Sequence, residues 1–298
     1  MVKGQFMKVL NFGSLNIDFV YNVEHFVKKG ETISSTGLNT YSGGKGMNQS
    51  IALSRAGVSV YHAGRIGEDG KFLKELLKKS GVDTRFIAVS ETVRTGNAII
   101  QKDGSGDNCI ILYSGANAEI TKKMIDSVLE SFGSGDWLIL QNEISEIPYL
   151  VERAHEKGMK IILNPSPMDE KIFQINLKLI DCLILNEGEA QELIGHEVDR
   201  KSITEALQRR FTDTEIILTL GEKGSVYISR DSIVKRDAYH VKPVDTTAAG
   251  DTFTGYYLAG RIEGKTIKES LDQASKAAAA AVGRSGAAVS IPWKQEIM

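Results

Sequence analysis

The stretch DCLILNEGEAQELIG (residues 181–195) passes from one kind of predicted secondary structure directly into another. Its first part, 181–186, is a short unbroken apolar run, as is typical of a strand buried on both faces of a sheet. Its second part, 186–195, carries apolar residues at helical spacing. A buried strand followed at once by a helix favours a mostly parallel sheet covered by helices.

The same alternation of strand and helix runs along most of the chain. Further strands are predicted at 8–12, 58–64, 137–141, 160–164 and 215–221. Helices are predicted at 46–57, 69–81, 147–158, 203–211, 250–262 and 266–283, and a hairpin at 225–239. We therefore predict an α/β fold, with a mostly parallel central sheet and helices on both of its faces.

Two segments interrupt this alternation. Residues 16–41 and 84–113 are rich in β-branched and aromatic residues and contain turn signals such as KKG and KDGSGD. We interpret them as a small antiparallel sheet laid against the main body as a lid, inserted in a single domain that spans residues 1–298. The alternative is that they form ordinary edge strands of the main sheet.

Composition excludes several classes of protein. The chain has 298 residues, with 42% hydrophobic and 25% charged residues and a net charge of -2. Because basic and acidic residues are interspersed, nothing favours binding to nucleic acid or to a membrane. Cys109 and Cys182 lie far apart in apolar runs, so we expect two buried thiols and no disulfide. The start of the sequence lacks a signal-peptide core, and we expect a cytoplasmic protein.

The stretch DTTAAGDTFTG (245–255) carries the chemistry that the sequence predicts. A turn of small residues leads into a helix, and the first N–H groups of a helix have no partner within it. Such a helix start binds phosphate oxygens, and Ala248, Ala249 and Gly250 have little side chain to keep them away. Asp251 follows and could accept the proton of an attacking hydroxyl. Alternatively, Asp251 simply stabilises the positive end of the helix dipole.

Two earlier motifs carry polar residues suited to a small polar ligand. Gly43 and Gly44 permit close backbone approach at a helix start, and Lys45 with Asn48 offers donors. The spacing is not that of a Walker loop, and a plain glycine turn is the alternative. The first strand ends in FGSLNIDFV (12–20), whose Asn16 and Asp18 suit hydroxyl recognition or an Asx turn.

Taken together and in order, GSLNID, GGKGMN and DTTAAGDTFTG resemble the signatures of the ribokinase-like (PfkB-type) carbohydrate kinase family. The resemblance covers residues 8–293. It is supported by intermediate segments, LILQNE (138–143), ILNPSP (162–167), LNEGEA (185–190), LTLGEKG (218–224) and AVGRSGAAVSIPW (281–293).

The resemblance implies a role for each matching position. Asp251 would be the catalytic base, and Ala248, Ala249 and Gly250 would form the anion hole. The sugar would contact Asn16, Asp18, Gly43, Gly44, Lys45, Asn48, Glu143 and Asp251. ATP would contact Asn186, Thr219, Gly221, Gly224, Gly250 and Ser275. Activating potassium would be held by Asp245, Thr247, Ala281, Arg284, Gly286 and Ser290. Magnesium would be held through water by Asn186 and Glu189.

The implied reaction is the phosphorylation of D-ribose by ATP to ribose 5-phosphate and ADP. Kinases of the same family that act on deoxyribose, fructose, ketodeoxygluconate or a nucleoside remain alternatives. A sugar-binding regulator without catalysis is a further one, although it would be expected to lose Asp251 or Gly250. A nicotinamide dehydrogenase does not fit, because the first strand lacks GxGxxG. The resemblance also implies a homodimer formed through the lid.

Overall fold

The computed structural model describes residues 7–105, 107–195 and 202–297. As predicted, a large sheet forms the centre of the fold, and seven of its nine strands run parallel. In spatial order the strands are β13 (Ile233–Arg236), β12 (Ser225–Ile228), β11 (Glu215–Thr219), β10 (Cys182–Asn186), β9 (Lys160–Asn164), β8 (Trp137–Gln141), β1 (Val9–Phe12), β4 (Val60–Gly67) and β5 (Asp83–Ser90). The predicted hairpin is β12–β13, which continues the sheet antiparallel to β11.

Helices cover both faces of this sheet and bury an apolar cluster on each. They are α1 (Lys45–Arg55), α2 (Lys71–Lys79), α3 (Lys122–Leu129), α4 (Ile147–Glu156), α5 (Glu187–Ile194), α6 (Ile203–Arg210), α7 (Ala249–Ile262) and α8 (Ile267–Val282). Sequence analysis did not predict α3. Its start carries a recognisable signal, since the Thr121 hydroxyl accepts a hydrogen bond from the Met124 N–H at 3.3 Å.

A second, smaller sheet lies apart from the large one. Its strands, in spatial order, are β3 (Gly37–Gly43), β2 (Asn16–Asn22), β6 (Gly96–Lys102) and β7 (Asn108–Tyr113). The two outer pairs are antiparallel, as predicted, and the central pair β2–β6 is parallel. The prediction that residues 84–90 belong to this sheet is wrong. They form β5, which pairs with β4 because Ile87 packs into the core beside α2.

One cysteine also departs from the prediction. Cys182 is buried on β10, as expected, whereas Cys109 is exposed on β7. Every residue of β7 is exposed, since nothing in the described part of the chain covers either face of this edge strand. Residue 106 of the predicted KDGSGD turn and the first six residues lie outside the described residues. Within the described ranges no helix is long and apolar enough to cross a bilayer.

The strand order determines where a ligand site forms. β4 and β5 lie on one side of β1, whereas β8 and the strands that follow it lie on the other. The direction of the connections thus reverses beside β1, and a crevice opens there beyond the carboxyl ends of the strands. The predicted residues Asn186 and Thr219 end β10 and β11 at this edge, and Glu143 follows the end of β8. β2 begins at Asn16, so the small sheet adjoins the same crevice.

Candidate active site

Helix α7 begins with an unusual turn that opens its N-terminus. Ala248 caps the helix with φ +61°, a left-handed conformation that side-chain-bearing residues rarely adopt. The Ala249 N–H donates to the Thr246 carbonyl at 3.2 Å, so the turn itself uses one of the predicted donors. Helical geometry leaves the N–H groups of Gly250 and Asp251 without intrahelical acceptors. A side chain on Gly250 would meet no atom within 4 Å in the described structure, so an anion has room to approach.

The carboxylate of Asp251 is buried, with 8% of the residue exposed, and two amides of α1 hold it. Asn48 Nδ2 donates to Asp251 Oδ2 at 3.0 Å, and Gln49 Nε2 donates to Asp251 Oδ1 at 2.9 Å. Sequence analysis singled out Asn48 and missed Gln49. Gln49 directly follows Asn48 in the motif GMNQ, but its contact with Asp251 joins residues more than 200 positions apart in the sequence. Asn48 Oδ1 is buried and has no partner among the described residues.

Three charged side chains from separate motifs meet beside Asp251. Burial, together with the charges of Glu143 and Asp251, raises the pKa of Asp18 to about 7. Burial also raises the pKa of Glu143, against the opposing effect of Lys45. Burial by itself lowers the pKa of Lys45, but the surrounding carboxylates outweigh it and raise this pKa above its ordinary value. A cluster of carboxylates around one ammonium group is typical of a site that binds a polyhydroxy ligand.

Backbone contacts tie these motifs into one rigid unit. Glu143 Oε2 accepts a hydrogen bond from the Lys45 N–H at 2.9 Å and another from the Ser14 hydroxyl. A side chain at Gly43 would collide with the carboxylate of Asp18 at 2.1 Å, so only glycine fits there. Gly44, at φ +93°, ends the turn that starts α1.

Asn16, the remaining predicted sugar contact, is also held in place. Its Oδ1 accepts from Asn117 Nδ2 at 2.8 Å, and it shares a cavity with Glu143. Asn16 therefore adjoins Glu143, which lies beside Lys45 and Asp251.

Three of the predicted nucleotide residues, Asn186, Thr219 and Gly250, line a second cleft that also includes Asp251. Its lining comprises Lys45, Asn164, Ser166, Ile184, Leu185, Asn186, Glu189, Thr219, Thr246, Ala248, Gly250, Asp251 and Thr254. Gly221 and Gly224 lie in the turn that follows Thr219, both with positive φ. Ser275 is buried on α8 and is not among the residues that line this cleft in the described structure.

Asn186 and Glu189 start α5 with a reciprocal capping box. The Glu189 N–H donates to Asn186 Oδ1 at 2.9 Å, and the Asn186 N–H donates to Glu189 Oε2 at 2.9 Å. One carboxylate oxygen of Glu189 is thus committed to the cap, and the other remains for solvent. This donor set fits a hydrated magnesium ion, which retains several of its waters. No cluster of three or more acidic, histidine or cysteine side chains forms a direct metal site in the described ranges.

The two segments whose residues are predicted to bind potassium meet beside the turn of α7. The N–H groups of Val244 and Asp245 donate to the Val282 carbonyl at 2.9 and 3.2 Å, and the Gly286 N–H donates to Asp245 Oδ2 at 3.1 Å. Hydrogen bonds from Thr247 and Gly286 outweigh burial and lower the pKa of Asp245. Neutral carbonyls beside one ionised carboxylate suit a large monovalent cation.

Other predicted members of the potassium set make contacts of their own. The Ser290 hydroxyl donates to the Ala287 carbonyl at 2.7 Å, and the Ala281 carbonyl accepts from the Arg284 N–H at 3.0 Å. The Arg284 side chain turns away to Glu296, with 2.7 Å between Nη2 and Oε1. Arg284 and Ala281 therefore offer backbone atoms, not side chains, to any ion at this position.

The crevice of this sheet, with an acidic residue at an open helix start, is the architecture of a phosphate-handling enzyme. The model for pfkB family carbohydrate kinases matches residues 7–294, and the chain belongs to this family.

Similar proteins point to one branch of the family. A ribokinase from Haemophilus influenzae is 37% identical over 297 residues, covering 96% of this chain and 95% of that protein. A ribokinase from Cryptococcus neoformans, solved in complex with ADP, superposes with a TM-score of 0.86 at 32% identity, covering 98% of each chain. An Arabidopsis thaliana ribokinase, complexed with ribose and ATP, has a TM-score of 0.86 at 29% identity and the same coverage of both chains.

Proposed function

We propose that this chain acts as one kinase domain that phosphorylates D-ribose with ATP, yielding ribose 5-phosphate and ADP. The observation that carries the proposal is the place of Asp251, at an open helix N-terminus between a cluster of sugar-type polar residues and a second cleft. The similarity to ribokinases supports ribose as the sugar.

The proposed reaction is an in-line transfer of the γ-phosphoryl group. Asp251 accepts the proton of the primary hydroxyl of the sugar, and that oxygen forms a bond to the γ-phosphorus. The bond from the γ-phosphorus to the bridging oxygen breaks, and ADP leaves. The N–H groups of Gly250 and Asp251 stabilise the charge of the transferring group, and the Ala249 N–H joins them when its hydrogen bond to the Thr246 carbonyl opens. Asn186 and Glu189 would hold magnesium through water, and the ion neutralises phosphate charge when bound.

Recognition of the sugar follows from the acceptors and donors around Asp251. Asp18 and Glu143 accept hydrogen bonds from vicinal hydroxyls, Lys45 donates, and the unpartnered Asn48 Oδ1 accepts one more. A sugar that lacks one hydroxyl leaves such a buried group unpaired, which costs affinity. Deoxyribose should therefore be a poorer substrate.

The assignment is tested by measuring kcat/KM for ribose, deoxyribose, fructose and adenosine side by side with ATP. We expect ribose to be preferred over each of the others. A preference for adenosine would instead indicate a nucleoside kinase, and a preference for fructose would indicate a hexose kinase of the same fold. If the protein turns over none of these four compounds, the proposal is overturned.

We further propose that potassium activates the enzyme by ordering the turn that precedes Asp251. The joined segments around Asp245 and Gly286 support this, because an ion there would contact the same backbone that leads to Ala248. Activity is expected to fall when sodium replaces potassium at constant ionic strength. Equal rates in the two salts would contradict the cation site.

We also propose that the protein forms a homodimer through the small sheet and that it acts in the cytoplasm. Strand register puts Leu38, Ile99 and Ile111 on the face of the small sheet opposite Asp18, where they are 54, 40 and 60% exposed. An apolar sheet face of this kind is stabilised by pairing with a second copy.

A further inference from the structure

A chain of buried amide side chains lies beneath Asp251 and is not used by the reaction outlined above. Gln49 Nε2 donates to Asp251 Oδ1 at 2.9 Å, and Gln49 Oε1 accepts from Gln141 Nε2 at 2.7 Å. Gln141 Nε2 also donates to Asn11 Oδ1 at 3.1 Å. Gln49, Gln141 and Asn11 are each 0% exposed, so water does not compete for these bonds.

The direction of every amide in this chain follows from a backbone carbonyl, which is always an acceptor. Asn11 Nδ2 donates to the Gly46 carbonyl at 2.8 Å, which turns Asn11 Oδ1 toward Gln141. Gln141 must then present its Nε2, and Gln49 must accept with Oε1. The Nε2 of Gln49 is therefore directed at Asp251.

A second carbonyl fixes the same direction independently. Asn164 Nδ2 donates to the Ile184 carbonyl at 2.7 Å, and its Oδ1 accepts from Gln49 Nε2 at 3.2 Å. If the amide of Gln49 were flipped, its oxygen would face the carboxylate of Asp251 and the oxygen of Asn164, while its NH₂ group would face that of Gln141. This flipped arrangement is excluded, because it would put buried oxygens against oxygens at one end of the Gln49 amide and two NH₂ groups against each other at the other end.

We propose that Gln49 is a positioning residue that holds the Asp251 carboxylate in one orientation for proton abstraction, and that Gln141, Asn11 and Asn164 act through it. A base must be aligned with the proton that it accepts, and small misplacements in a reacting pair cost large factors in rate. The network spans β1, β8, β9 and α1, so three strands of the central sheet and one helix support a residue on α7. This inference rests on the proposed function, because it requires Asp251 to be the base.

The test compares two near-isosteric variants, Gln49→Met and Gln49→Glu. Gln49→Met removes the donor and should lower kcat roughly 10- to 100-fold with little change in the KM for ribose. Gln49→Glu should lower kcat further, since it sets a second carboxylate against Asp251. A matched control is Gln208→Met, because Gln208 donates only to the Ser229 and Arg230 carbonyls among its described contacts and should leave kcat unchanged.

The split between kcat and KM separates positioning from a general loss of structure. The charged groups that face Asp251 are Asp18, Lys45 and Glu143, and the variants retain all three. Gln49→Met should therefore lower kcat while the KM for ribose stays close to that of the wild type, because only the orientation of the Asp251 carboxylate changes. Thermal unfolding of each variant shows whether it remains folded at the assay temperature.

The outcomes distinguish this inference from the proposed function. If the wild-type chain turns over no sugar, both fall together. If the wild type is active and Gln49→Met has an unchanged kcat, or raises the KM for ribose as much as it lowers kcat, only the positioning role of Gln49 is overturned. If Gln49→Met is unfolded, Gln141→Met gives the same reading, because it breaks the network one step from Gln49.

Discussion

The two sheets of this molecule differ in how far the chain itself completes them. On β8 of the large sheet, Leu138, Ile139 and Leu140 are each 0% exposed, and neighbouring side chains enter opposite apolar clusters. On β7 of the small sheet every residue is exposed, Ile111 by 60%. The chain itself thus buries both faces of the large sheet, whereas it leaves one apolar face of the small sheet exposed. Helix α7, in the main body, contributes the Asp251 carboxylate to the candidate site, and the small sheet contributes that of Asp18.

The largest expected effect tests whether the main body performs the chemistry while the small sheet performs recognition. Asp251→Asn should lower kcat roughly 10²–10⁴-fold, because the general base is lost while its shape is kept. Ribose binding, measured by calorimetry, should be largely retained. Asp18→Asn should instead raise the KM for ribose more than it lowers kcat. An active Asp251→Asn enzyme would remove Asp251 as the base.

The next effect is on stability and contrasts a buried side chain of the large sheet with an exposed side chain of the small sheet. Leu140→Ala opens a cavity in the apolar core beside the large sheet and should lower the free energy of unfolding by about 2–5 kcal/mol. Ile111→Ala should change it by less than about 0.5 kcal/mol in dilute protein, since the side chain is largely exposed. Urea unfolding monitored by circular dichroism measures both. A large loss for Ile111→Ala at low protein concentration would mean that the small sheet is also complete within one chain.

The oligomeric state of the protein tests the same contrast between the two sheets. Ile111→Lys places a charge in the apolar face of the small sheet and should shift the proposed homodimer toward monomer. Sedimentation over a range of concentrations measures this shift. The matched change Val289→Lys, at a residue that is 64% exposed in the segment after α8, should leave association unaltered. If both variants behave as the wild type does, the small sheet is not the dimer interface.

The smallest effect concerns the pH dependence of the small-sheet carboxylate. The pKa of Asp18 is raised to about 7, so ionised Asp18 becomes the dominant form only above that pH. The KM for ribose should fall between pH 6 and pH 8, as the stronger acceptor forms, and Asp18→Asn should flatten this dependence. A KM that varies equally in both proteins would assign the dependence to another group.

The same raised pKa predicts a stability difference with a definite sign. A carboxyl group whose pKa is higher in the folded than in the unfolded chain binds protons more tightly when folded, so its stabilising effect is lost as pH rises through about 7. Asp18→Asn should therefore unfold at a higher temperature than the wild type at pH 8, and this advantage should shrink toward pH 5. Thermal scans at the two pH values test the sign.

The residues that sequence analysis missed share a physical cause. Gln49 has no distinguishing pattern of its own, because its role comes from contacts with Asp251, Gln141 and Asn164 that lie far away along the chain. Cys109 has an apolar neighbourhood like that of Cys182, and only the lack of a covering layer makes it exposed. Residues 84–90 have strand character in either sheet, and the choice of partner was settled by packing beside α2.

The sequence by itself determined the alternation of strands and helices, the presence of a smaller sheet, and the three motifs whose polar residues we propose to bind and react. These follow from local periodicity and from small residues at helix starts, which act within a few positions of the chain. Only the tertiary structure decided which side chains surround Asp251, how its carboxylate is oriented, and which apolar face is left uncovered. Those properties arise from burial and from hydrogen bonds between distant segments, which no local pattern specifies.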